Sequence, residues 1–204
     1  MIIFSPWKSR NYSWYWWAPR PRAVIRNSTT FFFGVGDSLA SLVPAIEAFW
    51  PEANGRVHID AWREVTYVDG YTVRVRERGG PAKAAALAAA ATNRLYFINL
   101  GGYKPGEFEE YHYKTIIAGP DKGAAIKRSK ETTFYKHIGF KGAESHIDDK
   151  YGIDVDDAHE IADILPAGVK EKFVLEVMPS PGGKDDELHI GYVQLAKLTK
   201  KSAN

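Results

Sequence analysis

Glu110-x-His112 and His146-x-Asp148 each set a carboxylate and an imidazole two residues apart, and Asp149 adjoins the second pair. In an extended chain that spacing puts both side chains on one face. If the two strands are neighbours, two imidazoles and two carboxylates converge, a donor set adequate for a divalent cation or for acid–base chemistry. Neither pair has the helical spacing of a metalloprotease motif, and no Ser or Cys stands in a recognisable nucleophile setting. Gly101-Gly102 offers a close backbone approach to a ligand, but a strand rather than a helix is expected after it. A dinucleotide or phosphate site there is therefore disfavoured.

The same residues also have a structural use, which is the preferred reading. His146, at a helix–strand junction, can hydrogen-bond to a carbonyl, and Asp148 can cap a turn. Glu110 and His112 can tie the glycine loop to the sheet. His58-Ile59-Asp60 repeats the tripeptide His146-Ile147-Asp148, and a motif present in both halves is as readily architectural as chemical. The ligand-binding candidates are Gly101, Gly102, Glu110, His112, His146 and Asp148. No metal or other cofactor is expected; the alternative is a divalent metal held by Glu110, His112, His146 and Asp148. His137, His159 and His189 have no evident partners, and Lys197, Lys200 and Lys201 read as a solvated tail.

The elements that would position these residues follow from the duplication. In the second copy, Arg94 to Leu100 reads as a buried strand closed by Gly101-Gly102, and a loop to Glu109 carries Pro105-Gly106. Tyr111 to Ala118 is a second strand, ended by Gly119-Pro120. A helix capped by Asp121 is expected to run to about Lys136. A strand near Ile153 or Ile161 and another over Lys172 to Val177 complete a ββαββ order. In the first copy, Leu39, Leu42, Val43, Ile46, Phe49 and Trp50 form one apolar helical face. Pro44 requires either a start near Ser41 or a kink. Arg63 to Val68 and Tyr71 to Val75 flank Asp69-Gly70, a hairpin signal. Leu188 to Leu195 is expected as an extra edge strand. The resulting divisions are an anomalous segment 1–30, an incomplete first repeat 31–77, an Ala-rich linker 78–93, a complete second repeat 94–178 and a C-terminal extension 179–204.

Residues 1–30 should supply the first copy's opening strand and glycine loop. They read instead as Trp14-Tyr15-Trp16-Trp17 followed by Ala18-Pro19-Arg20-Pro21-Arg22. Trp has one codon, so Tyr15 to Ala18, read from the third base of each codon, must spell Leu-Val-Gly. That is a strand end like Asn99-Leu100-Gly101. In the same frame Arg26 to Phe31 permits Glu-Leu-His, resembling Glu110-Tyr111-His112. Phe31-Phe32-Phe33, encodable by a run of T, is where the frame would be restored. Translation out of frame is preferred over a divergent strand and over an aromatic–basic arm for membrane or single-stranded nucleic acid.

Composition narrows the class. A hydrophobic fraction of 45% over 204 residues can bury one large core or two small ones. There is no cysteine, which excludes disulfides, thiolate metal sites and Cys nucleophiles. The net charge of +2 owes its sign to five basic residues and no acid in segment 1–30; elsewhere acids outnumber bases. Nucleic acid is therefore not an expected partner. No apolar run has the length of a membrane span, so a cytoplasmic protein is expected.

Leu100-Gly101-Gly102, Pro105, Glu110-x-His112 and Gly119 in the second copy resemble a bacterial family known as domain of unknown function 1543. Gly36, Trp50, His58-x-Asp60 and Val68-Asp69-Gly70-Tyr71 carry the resemblance in the first copy, over roughly Phe31 to Val177. Its members hold one or two copies, and it implies no activity. The expectation is an α+β protein of two tandem ββαββ repeats, with antiparallel sheets each covered by a helix and related by a pseudo-twofold. The expected function is a non-enzymatic binding or interaction module for an unknown small molecule or protein; the alternative is a metal-assisted hydrolase.

Overall fold

The computed structural model describes residues 2–4, 14–17, 30–54, 56–80, 82–83, 86–87, 91–103, 108, 110–131 and 154–201. The chain forms two compact units, one of Ala91–Ile164 and a discontinuous one of Met1–Ala90 with Leu165–Asn204. The class is α+β, with most strand pairs antiparallel.

In the discontinuous unit, β1 (Ile2–Phe4), β2 (Trp14–Trp17), β3 (Thr30–Phe31), β4 (Phe33–Val35) and β5 (His58–Glu64) share one sheet, in the order β3-β2-β5-β1-β4. β1 runs parallel to β4 and β5, so this sheet is mixed and not purely antiparallel as expected. Helix α1 (Leu39–Phe49) follows β4. Ser38 caps it, accepting from the Ser41 backbone N–H at 3.1 Å, while the Ser41 hydroxyl accepts from the Ser38 N–H at 3.2 Å. This reciprocal cap starts the helix ahead of Pro44, which lies inside it on the exposed side. Leu42, Val43 and Ile46 are buried against Phe32, Val57 and Ile59.

A second sheet in this unit has the order β11-β7-β6, from β6 (Tyr67–Val68), β7 (Tyr71–Glu77) and β11 (Phe173–Pro179). The strand expected over Arg63 to Val68 is in fact two: β5 begins at His58 and ends at Glu64, and β6 starts after a break at Val65-Thr66. Asp69 and Gly70 join β6 to β7 with φ of 51° and 90°. Two positive φ values define the hairpin turn that Asp-Gly favours. A Cβ at Gly70 would meet nothing within 4 Å, so Gly70→Ala isolates the backbone cost. A loss of about 1 kcal/mol is expected in urea unfolding, and an unchanged midpoint would refute this turn assignment.

Helices α3 (Ile161–Ile164) and α4 (Ala167–Lys172) precede β11, and β12 (Leu188–Gln194) pairs with β5 in antiparallel register. Beyond β12 the Lys-rich stretch is a helix, α5 (Leu195–Lys201), along which Lys197 is exposed to solvent. Leu195 and Leu198, three apart on one helical face, turn toward the α1 core. Leu195 is only 1% exposed, and its backbone N–H donates to the Val57 carbonyl at 3.3 Å.

In the other unit, β8 (Arg94–Tyr103) and β9 (Glu110–Gly119) form an unbroken hairpin from Arg94↔Gly119 to Tyr103↔Glu110, and β10 (Asp154–Glu160) flanks β8. Gly101 and Gly102 are therefore strand residues, not the start of a loop. The ladder continues through them because both keep cross-strand partners. Asp121 caps α2 (Lys122–Ser129) by accepting from the Ala124 N–H at 2.8 Å. Ala125 of α2 packs on Tyr96, Ile98, Leu100 and Ile117. Arg94 pairs with Glu160 at 3.0 Å across β8 and β10.

Candidate functional site

The β8–β9 register sets Gly101 opposite His112, Gly102 opposite Tyr111 and Tyr103 opposite Glu110. Gly101 is buried and His112 exposed. Glu110 and His112 stand two residues apart on β9. Four of the six sequence candidates thus lie on one hairpin end, whereas His146 and Asp148 are outside the described residues. Among the described residues no group of three or more His, Asp or Glu is placed to hold a metal.

A different constellation is assembled on β5. Its alternation sends Ile59 into the core and spaces His58, Asp60, Trp62 and Glu64 along the other face, with Trp62 also packing against that core. His58 Nε2 lies 3.4 Å from Asp60 Oδ1, both half-buried. β12 completes the face. Its register slips between Ile190 and Val193, which brings Tyr192 round to stack on His58, with ring centroids 4.5 Å apart and planes at 25°. His189, opposite Trp62 in register, stacks on the indole at 3.6 Å and 18°. Its Nδ1 is 3.8 Å from Glu187 Oε1. His159 likewise lies 3.5 Å from Asp157. Neither histidine is without a partner, as the sequence alone had left them.

Glu64 ends the row, and its carboxyl is pushed up to about 8, first by burial and then by the negative charge of Asp186. At neutral pH it is mostly protonated and can donate a hydrogen bond. Asp186 is held in place by the strand break. It accepts from the Thr66 N–H at 2.7 Å, the Thr66 hydroxyl at 2.5 Å and the Tyr67 N–H at 2.8 Å. The Tyr67 hydroxyl donates to the Ser180 carbonyl at 3.0 Å and accepts from the Gly183 N–H at 3.1 Å, fixing the 180–187 loop beside Glu64.

The sequence marks His58 and Asp60 as a repeat and a family feature, leaves His189 without a partner, and does not single out Trp62, Glu64, Asp186 or Tyr192. The period-two run His58-x-Asp60-x-Trp62-x-Glu64 was the available signal. The contribution of β12 had none, because its pairing with β5 spans more than a hundred residues.

Residues 30–75 match the model of a family described as Domain of Unknown Function (DUF1543). That span contains α1, β5 and the β6–β7 hairpin, hence the row on β5. The crystal structure of a protein Il1583 from Idiomarina loihiensis is similar in fold. It has 19% identity and a TM-score of 0.51 over 90% of this chain and 95% of that one. No curated protein matches the chain. No helix among the described residues is long and apolar enough to cross a membrane.

Proposed function

We propose that the chain is a non-enzymatic binding module that takes a small polar ligand against the His58–Glu64 face of β5. The observation that carries this is the row of His58, Asp60, Trp62 and Glu64, backed by two ring stacks from β12. It offers imidazole, carboxylate and neutral carboxylic acid groups on one rigid strand. A shifted carboxyl among such groups is common at binding sites. The test is a thermal-shift screen of carboxylates, phosphates and amines. At least one should raise the melting temperature of the wild type and lose that effect with Asp60→Ala. Turnover of the bound compound, or no shift from any compound, would sink the reading.

The alternative, a metal-assisted hydrolase using Glu110, His112, His146 and Asp148, draws support from the placement of Glu110 and His112 two residues apart on β9. Metal analysis of the purified protein separates the two. Stoichiometric metal lost on His112→Ala would favour the hydrolase.

We also read the chain as two ββαββ copies. Connectivity supports this: β3-β2-β5 in one unit has the same order and sense as β9-β8-β10 in the other, with α1 and α2 at the same place in each sequence. The last strands of the copies, β7 and β11, pair antiparallel, as a pseudo-twofold requires. The family match begins at residue 30, beside Phe31-Phe32-Phe33, which supports a frame error upstream of that point. Codons that do not spell Glu-Leu-His in the shifted frame would end that idea.

A further inference from the structure

We infer that β12 is an edge through which two copies of this chain associate, strand to strand and antiparallel. Among the described residues β12 has one strand partner, β5, and its other edge carries no ladder. Exposed backbone edges are usually protected by Pro, Lys or inward charges. β12 has none of these; Leu188-His-Ile-Gly-Tyr-Val-Gln194 instead exposes large apolar groups. Leu188 is 55% and Ile190 81% exposed. Its bulge lies beyond Ile190, so Leu188 to Ile190 remain regular and able to pair.

Charge identifies the occupant as a second copy. Asp185, Asp186 and Glu187 precede β12, while Lys197, Lys200 and Lys201 follow it in α5. An antiparallel partner with the same order brings each acidic start alongside the other copy's basic helix. The strand is thus complementary to itself in charge, and a twofold pairing also sets apolar residues against apolar ones. A strand of another protein would need the same acid–apolar–base order to match. The inference is independent of the small-ligand reading, since Leu188 and Ile190 lie off the His58–Glu64 face.

The test is sedimentation equilibrium of the full chain. The wild type should dimerise with concentration, and Ile190→Lys should raise the dissociation constant by at least about tenfold. Ile190 is exposed, so far-UV circular dichroism and melting of the variant should stay close to wild type. Lys197→Glu should also weaken the dimer, and Asp185→Lys together with Lys197→Glu should restore it. A monomer up to ~100 μM, above the dissociation constants of specific interfaces, would overturn the inference. A dimer indifferent to Ile190→Lys would do the same, and failure of the double reversal to rescue would exclude the antiparallel arrangement.

Discussion

Leu195→Ala is expected to destabilise the discontinuous unit by about 2–5 kcal/mol, the range for truncating a fully buried leucine. Leu195 sits among Phe32, Leu42, Val43, Ile46, Val57 and Ile59 at 1% exposure, and its side chain has few routes to be replaced by relaxation. Its position makes the result informative. The residue ends the edge strand expected from the sequence and stands just before Lys197, Lys200 and Lys201, which read as a solvated tail. On a solvated tail the same substitution would change stability by less than about 0.5 kcal/mol. Urea unfolding monitored by tryptophan fluorescence distinguishes the two. A midpoint shared with the wild type would mean that α5 does not belong to this core.

Glu64→Gln is expected to act in the opposite direction, and only at high pH. The folded-state pKa of about 8 lies above the ordinary 4.5, so the native state holds a proton that the unfolded state has released. Stability from this group is therefore undiminished below about pH 4.5, falls as pH rises through the window, and is lowest above pH 8. The shift taken at face value corresponds to about 5 kcal/mol, but Glu64 is partly exposed and solvent screening reduces this to about 1–2 kcal/mol. Glutamine cannot ionise, so the variant should match the wild type at pH 4.5 and exceed it at pH 9. Parallel stability profiles across that range would show that burial and Asp186 do not perturb Glu64. A second substitution, Asp186→Asn, should lower the Glu64 pKa while loosening the 180–187 loop, because it removes the charge and weakens three hydrogen bonds together.

How far the candidate site was legible depended on the range of the interactions that make it. The Asp69-Gly70 turn, the Asp121 cap and the apolar face of α1 are local, decided within four residues, and each was readable from residue type and spacing. The extent of β8 was misjudged because Gly101-Gly102 is a turn signal in isolation, while nothing in its immediate sequence reports that His112 and Tyr111 stand ready to pair with it. The Glu110, His112, His146 and Asp148 grouping rested on an assumed adjacency of two strands, which spacing of two within each strand cannot supply. The row on β5 was half visible, since alternation placed His58, Asp60, Trp62 and Glu64 together without showing that the strand began so early.

By itself, then, the sequence determined the α+β class of the protein, the Asp69-Gly70 turn, the Asp121 cap and the apolar face of α1. Each of these follows from side-chain periodicity or backbone preference, both of which act along the chain. Only the tertiary structure decided that β12 returns to β5, that Leu195 closes the core of α1, and that His189 and Tyr192 stack on Trp62 and His58. Those contacts join segments more than a hundred residues apart. Their partners are selected by burial and shape in the folded state, for which short-range spacing carries no record.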